Sequence, residues 1–317
     1  MIDKSILEFT EEVKNALEKN QSIVALESTL ISFGLPYPEN LETAVECEEI
    51  LRKIGVTPAT IWIGDGKIRI GATRDDLINL AKAKDIIKTN LSNISIVLSK
   101  KKTGATTVSA SILSAGLAGI SIFATGGIGG VHRDFQQTFD VSSDLTSLAN
   151  QSMIVVSSGV KSLLNIRATV EYLETLGIPV IGYQTKTFPG FYYIDSGLPV
   201  DTSVESAEEV IEIFKMHKAL FKNGSVLVVV PCPEKDALPA DMVEWAIKEA
   251  EDEMKRHFQD KDYFSGREVT PFILKKLSEL TQGKSLKANI SLIKNNVFVA
   301  GKIALAYSHI NSIREPK

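Results

Sequence analysis

Residues 153–183 read MIVVSSGVKSLLNIRATVEYLETLGIPVIGY, and this stretch decides the fold class. Met153 to Ser157 is an apolar run of strand length, and Val180 to Tyr183 is another. Between them the spacing predicts a helix from about Lys161 to Leu176, closed by Gly177. A strand, a helix and a strand at this separation form a crossover unit, the connection that parallel strands require. Upstream, Ser95 to Ser99 reads as a strand, Gly104 to Ala118 as a helix of small residues and Ser121 to Ala124 as a strand, followed by a glycine loop and a short helix near Ser142. Downstream, Ser206 and Glu209 form a capping box ahead of an amphipathic helix through Phe221, and Val226 to Val230 is a further strand. Such alternation predicts an α/β protein whose largely parallel sheet is covered by helices on both faces.

The flanking segments fill in the rest. Ile6, Phe9, Val13 and Leu17 recur at helical spacing over residues 5–19, and Ile23 to Leu26 has the length of a buried strand. Helical periodicity resumes from Leu41 to Ile54, with Gly55 as its stop. Thr60 to Gly64 and Lys67 to Gly71 flank Asp65-Gly66, a dipeptide that suits a two-residue hairpin and makes the sheet mixed. After Pro239 the pattern is helical only: Met242 to His257, Thr270 to Leu280 and Ser285 to Ser308. No linker or repeat interrupts the chain, so residues 1–317 are read as one domain, a strand-rich core at about 20–232 carrying a helical region at about 240–310.

Composition narrows the function classes. The chain has 317 residues, 44% of them apolar and 23% charged, as in ordinary globular proteins. Lys and Arg number 35 against 39 Asp and Glu, giving a net charge of -4 with no basic stripe, which argues against a nucleic-acid polymer as partner. Cys47 and Cys232 have neither disulfide-framework nor zinc-ligand spacing and suit reduced thiols in the cytoplasm. No apolar run reaches the roughly 18 residues of a membrane span, so no membrane partner is expected.

In open α/β sheets ligands bind where the strands end, and four strand ends qualify. Ala25-Leu26-Glu27-Ser28-Thr29 ends an apolar strand with a carboxylate. Glu27 is either a hydrogen-bonded strand-end residue or a general acid whose pKa is raised by partial burial. Gly104-Ala105-Thr106-Thr107-Val108 is read as opening a helix, whose free N–H groups attract anions, with close packing of small residues as the alternative. Ala124 to His132 carries glycine at 126, 127, 129 and 130, which lets backbone approach a phosphate or sugar, or makes a flexible turn. It is neither a dinucleotide fingerprint nor a P-loop, because the third fingerprint glycine falls on His132 and no Gly-Lys-Ser/Thr follows.

The fourth end pairs Asp140-Val141-Ser142-Ser143-Asp144 with Ser157-Ser158-Gly159-Val160-Lys161. Ser142 reads as a helix N-cap, and Asp140 and Asp144 either complement the helix dipole or supply one carboxylate to a hard divalent cation. Lys161 is read in the first turn of a helix, where the dipole disfavours an ammonium. That makes it a candidate Schiff-base nucleophile, with a surface lysine as the alternative. These features point to an enzyme acting on a phosphorylated sugar or nucleotide through imine chemistry.

Taken together with Leu35-Pro36-Tyr37-Pro38-Glu39-Asn40, Glu171-Tyr172-Leu173-Glu174-Thr175, Val269-Thr270-Pro271-Phe272 and Ala288-Asn289-Ile290, these segments resemble the pseudouridine-5'-phosphate glycosidases from about residue 8 to 307. The resemblance implies a three-layer α/β/α sandwich that assembles as a homotrimer. It also implies reversible splitting of pseudouridine 5'-phosphate into uracil and ribose 5-phosphate with a divalent metal, usually Mn2+. By motif it makes Glu27 the proton donor, Lys161 the nucleophile and Asp140 the metal ligand. Lys88, Val108, Ser142, Ser143 and Asp144 would contact substrate. The chain departs from the family pattern at Phe33, at Ser143, at Leu163-Leu164-Asn165 and at Val230-Pro231-Cys232-Pro233-Glu234-Lys235-Asp236. Two rival readings share these features: a Schiff-base phosphosugar aldolase or lyase, and a nonenzymatic phosphosugar-binding module.

Overall fold

The computed structural model of the chain describes residues 4–257 and 266–314. Its first strand, β1 (Leu7–Phe9), precedes α1 (Glu11–Glu18), and β2 (Ile23–Leu26) leads through a π-helical turn at Leu30–Gly34 into α2 (Glu39–Lys53). The hairpin of β3 (Thr57–Gly64) and β4 (Lys67–Ile70) is followed by α3 (Arg74–Lys82), β5 (Ile87–Thr89) and α4 (Ile94–Ser99). Next come β6 (Gly104–Thr106), α5 (Val108–Ala118), β7 (Ile122–Ala124), α6 (Phe135–Thr138) and α7 (Ser143–Asn150). The alternation continues with β8 (Ile154–Ser157), α8 (Ile166–Thr175), β9 (Val180–Tyr183), β10 (Thr202–Val204), α9 (Ala207–Leu220) and β11 (Val226–Val229). Three helices close the chain: α10 (Ala240–His257), α11 (Gly266–Leu280) and α12 (Lys284–Arg314).

The strands lie in the order β1-β4-β3-β2-β7-β8-β11-β9-β10, with β6 paired to β3 and β5 to β6. From β3 through β2 to β10 every neighbour pair is parallel, whereas β3 is antiparallel to β4 and to β6. Helices cover both faces, so the mostly parallel mixed α/β sandwich expected from the sequence is the fold. Every residue of β2, β8, β9 and β11 is buried, the signature of parallel strands covered on both sides. The Asp65-Gly66 turn has positive φ at both residues (54° and 76°), which matches the right-handed twist of a two-residue hairpin. The long α12 packs on α2 and α9 and reaches β2, β7 and β8, which brings the helical tail against the sheet. Among the described residues, no helix is long and apolar enough to cross a membrane.

Several local expectations are corrected. Residues 5–19 are not one helix: Leu7–Phe9 pairs in parallel with Ile68–Ile70, and Thr10, whose Oγ1 accepts from Val13 N, starts the helix at Glu11. Ser95 to Ser99 is helical, and the strand is Ile87–Thr89, because a short apolar run carries no period of its own. Gly104–Thr106 is a strand between β5 and β3, and a Cβ on Gly104 would collide with Thr89 Oγ1, so the helix of small residues begins only at Val108. α8 begins at Ile166, capped by Asn165 Oδ1 accepting from Ala168 N at 3.0 Å, because the strand-end loop must first pass alongside β7's loop. Lys161 therefore precedes the helix by five residues, and the helix-dipole argument for its reactivity lapses. Strand β10 had no readable signal, being three residues on a sheet edge. The one-domain reading extends to residues 1–3, 258–265 and 315–317, which lie outside the described residues, as do the side chains of Val269, Thr270 and Pro271.

Candidate active site

Strands β2, β7 and β8 are neighbours and parallel, so their carboxyl ends open on one edge. Beyond them the backbone keeps pairing. Ser158 N donates to Gly126 O at 2.9 Å, Ile128 N to Gly159 O at 3.0 Å and Lys161 N to Ile128 O at 3.1 Å. This ladder fixes where Lys161 leaves the chain, next to the glycine loop, and Arg133 Nη2 holds the following carbonyl, that of Ser162, at 2.8 Å.

Glu27 lies at the end of β2, 8% exposed, and its Oε1 accepts from Thr125 Oγ1 at 2.5 Å. Burial pushes its pKa up, because a carboxylate without water is disfavoured. The ammonium of Lys161, the Thr125 hydroxyl and the ammonium of Lys88 oppose that rise, while the Asp144 carboxylate adds to it. Three further residues singled out from sequence, Lys161, Lys88 from β5 and Asp144 from α7, are thus near enough for their charges to act on the Glu27 carboxyl.

Asp144 has both carboxylate oxygens engaged by backbone. Its Oδ1 accepts from Ser109 N at 2.9 Å and its Oδ2 from Gly129 N at 2.8 Å, so it caps α5 and holds the glycine loop. Ser142 Oγ caps α7 by accepting from Asp144 N at 3.2 Å. Gly129 must be glycine here, since a Cβ would collide with Ser142 Oγ, and Gly130 is crowded in the same way by Thr169. A row of hydroxyls runs from Thr107 through Ser109 to Ser143, with Oγ1···Oγ 2.9 Å and Oγ···Oγ 3.0 Å. Val108 opens α5 within this row and is buried.

Asp140 lies on the loop between α6 and α7, with its side chain 46% exposed and His132 Nε2 3.5 Å from its Oδ2. Among the described residues no three His, Cys, Asp or Glu side chains converge as a metal cage. A single half-exposed carboxylate fits a hard divalent cation that keeps most of its own water, and fits no fully protein-coordinated metal.

Two residues of α12 complete the edge. Asn289 is buried, its Oδ1 has no hydrogen-bond partner, and it lies 3.6 Å from where a Cβ on Gly126 would stand. Asn289 also lines a cavity of about 530 Å3 whose wall includes Phe33, Leu35, Tyr192, Leu286, Lys275 and Glu279. Neither Glu27 nor Lys161 lines that cavity, whereas Asn289 does. Asn296 is fully buried and donates to Thr125 O at 2.9 Å and Gly126 O at 3.2 Å while accepting from Ser158 Oγ at 3.2 Å. Asn296 carries no local motif, and only its lying on a buried stripe of α12 hinted at anything.

The sequence departures also find places. Phe33 faces the cavity, Asn165 supplies the α8 cap, and Val230 is buried apolar at the end of β11. Asp236 ties the loop after β11 to α12, accepting from Ser291 Oγ at 2.7 Å and pairing with Lys287 Nζ at 2.9 Å.

This architecture, with its charged cluster at the carboxyl edge of parallel strands, defines an α/β protein that takes a small polar ligand where its central strands end. Within that class the chain belongs to the indigoidine synthase A-like family, whose model matches residues 12–306. It is 48% identical over 302 residues to a pseudouridine-5'-phosphate glycosidase of Legionella pneumophila, covering 95% of this chain and 96% of the relative. A protein of the same name from Caldanaerobacter subterraneus is also 48% identical, over 94% of this chain and 96% of its own length. Among solved structures, the prealnumycin C-glycosynthase AlnA in complex with ribulose 5-phosphate superposes with a TM-score of 0.89 at 36% identity, covering 98% and 99% of the two chains. An indigoidine synthase A-like protein from Thermotoga maritima gives 0.85 at 36% identity, over 96% and 97%.

Proposed function

We propose that the protein is a pseudouridine-5'-phosphate glycosidase, which reversibly cleaves pseudouridine 5'-phosphate and water to uracil and ribose 5-phosphate. The observation that carries the reading is the placement of a buried acid, Glu27, and the amine of Lys161 at the carboxyl ends of neighbouring parallel strands, with the Lys161 charge acting on the Glu27 carboxyl. Near-full-length relatives of that name support it, as does a neighbour of the same fold that forms C-glycosides and binds a pentulose phosphate.

The bond to be broken joins C1' of the ribose to C5 of uracil, so protonating an oxygen leaving atom, the usual glycosidase step, releases nothing. An amine solves the problem. Lys161 Nζ attacks C1' as the ring C1'–O4' bond opens, and O4' takes a proton. Nitrogen then pushes its pair toward C1', the C1'–C5 bond breaks, and C5 keeps that pair and is protonated. Glu27, whose pKa burial raises, delivers the proton to C5. Water hydrolyses the resulting iminium, freeing Lys161 and ribose 5-phosphate. Thr125 steers the Glu27 carboxyl through their hydrogen bond. Lys88, the Val108 backbone and the segment Ser142, Ser143 and Asp144 hold the substrate's hydroxyls and 5'-phosphate. The orphan Oδ1 of Asn289 accepts an N–H from the base, because a buried acceptor left unpaired is destabilising.

Asp140 would hold Mn2+ through one carboxylate oxygen and a shell of water. When bound, the ion supplies positive charge beside the substrate's polar groups. A homotrimer in the cytoplasm completes the reading, supported by the family resemblance and, for the compartment, by two buried free cysteines; sedimentation velocity tests the trimer. The deciding experiment incubates the protein with pseudouridine 5'-phosphate and Mn2+ and follows free uracil. Uracil release with ribose 5-phosphate supports the glycosidase. A different carbonyl product points to the aldolase or lyase, and binding without turnover to the module.

A further inference from the structure

Asn296 is the one side chain among the described residues whose amide touches both catalytic loops. Its Nδ2 donates to the carbonyls of Thr125 (2.9 Å) and Gly126 (3.2 Å), and its amide also engages Ser158 Oγ at 3.1–3.2 Å. Each contact leads to a reacting group. Thr125 places its hydroxyl on Glu27 Oε1, and Ser158 opens the loop that delivers Lys161 three residues later. The amide is fully buried on α12, a helix the sequence shows only as part of a tail, and it is flanked by buried Ile293, Val297 and Ala300. A buried amide with donors and acceptor all engaged has a single low-energy orientation, because any rotation leaves polar atoms unpaired in an apolar setting.

We infer that Asn296 is a positioning residue for the carbon-carbon cleavage, setting the separation of Glu27 and Lys161 by locking the ends of β7 and β8 to α12. The helical tail is on this account part of the catalytic machinery, although it contributes no reacting group. The inference rests on the reading of Glu27 and Lys161 as acid and amine.

The test is borohydride trapping of ribose 5-phosphate on Lys161, followed by mass spectrometry with time. Both the rate constant and the final amplitude are read, together with kcat and KM for pseudouridine 5'-phosphate. In Asn296→Ala, misplacing the loops should lower kcat and the trapping rate constant by about 100-fold. KM should change by less than about threefold, because none of the proposed substrate contacts at Lys88, Val108 and Ser142 to Asp144 is among the groups that Asn296 holds. Ser158→Ala, which removes one hydroxyl, should lower the same rate constant several-fold and covers the case in which Asn296→Ala does not fold. A role in stability alone would reduce the trapped amplitude and leave the rate constant of the folded fraction unchanged; that result in either folded variant overturns the proposal. Failure of the wild-type protein to be trapped overturns instead the reading on which it rests, and the proposal falls with it.

Discussion

Asp144 accepts the N–H of Gly129 at 2.8 Å, so that the carboxylate of one helix N-terminus holds the backbone of the glycine loop. Its other oxygen takes Ser109 N, which joins α5, α7 and the loop after β7 into one unit at the edge of the sheet. Burial raises the Glu27 pKa and the charge of the same carboxylate adds to that rise, so a single residue bears on both the loop and the acid.

Gly129→Ala tests that unit. The new methyl would overlap Ser142 and crowd Asp144, forcing the loop off the carboxylate. Overpacking of this kind costs about 1–3 kcal/mol. Urea unfolding should show that loss, and kcat/KM for pseudouridine 5'-phosphate should fall at least about tenfold, since the loop carries the ladder to Lys161. Wild-type stability together with wild-type turnover would contradict the packing described.

Glu27→Gln separates the acid's chemistry from its burial. Because the folded pKa lies above the ordinary 4.5, the folded protein retains a proton that the unfolded chain releases, and wild-type stability declines as pH rises from 4.5 through the folded value. An amide carries no such penalty and keeps an oxygen for Thr125. The variant should therefore lose turnover and yet melt at least roughly 2 °C higher than wild type at pH 8, with the difference shrinking toward pH 5. Calorimetry across that range reads it, and a lower melting temperature at pH 8 would refute the burial argument.

Lys161→Arg keeps a cation facing Glu27 but offers no amine able to form an imine. Turnover should fall by at least about 1000-fold, since covalent catalysis through C1' is lost entirely. No borohydride-stable adduct should form with ribose 5-phosphate, and the melting temperature should stay near that of wild type. An adduct at another lysine would move the nucleophile.

Chelation addresses Asp140. Activity should drop on treatment with EDTA and return with Mn2+, and Asp140→Asn should need more Mn2+ for half-maximal activity while unfolding like wild type, because the side chain is half-exposed and structurally light. Full activity after exhaustive chelation would remove the cation from the reaction.

The sequence by itself determined the sheet and most of its partners. Apolar runs such as Ile154–Ser157 and Val226–Val229 announce buried parallel strands because both faces exclude water, and Asp65-Gly66 announces a hairpin because few other pairs accept positive φ twice. Glu27, Lys161 and the glycine loop were legible for a related reason, as polar residues following apolar strands are where a parallel sheet puts its ligands. Tertiary structure decided what local pattern could not. Leu7–Phe9 became a strand by pairing with β4, and Gly104–Thr106 by fitting between β5 and β3, since a three-residue strand exists only through its neighbours. Lys161 owes its place to a backbone ladder with the loop after β7, where sequence pattern had placed it in a helix, and Asp144, which pattern left open between helix-dipole partner and cation ligand, is seen to accept from Ser109 and Gly129. Asn296 became visible only when α12 folded back across the edge, some 170 residues after the loop it serves, and Asn289, legible only as part of the motif Ala288-Asn289-Ile290, found its place beside Gly126 the same way, because a hydrogen bond or close contact specifies its partner in space and leaves no periodicity along the chain.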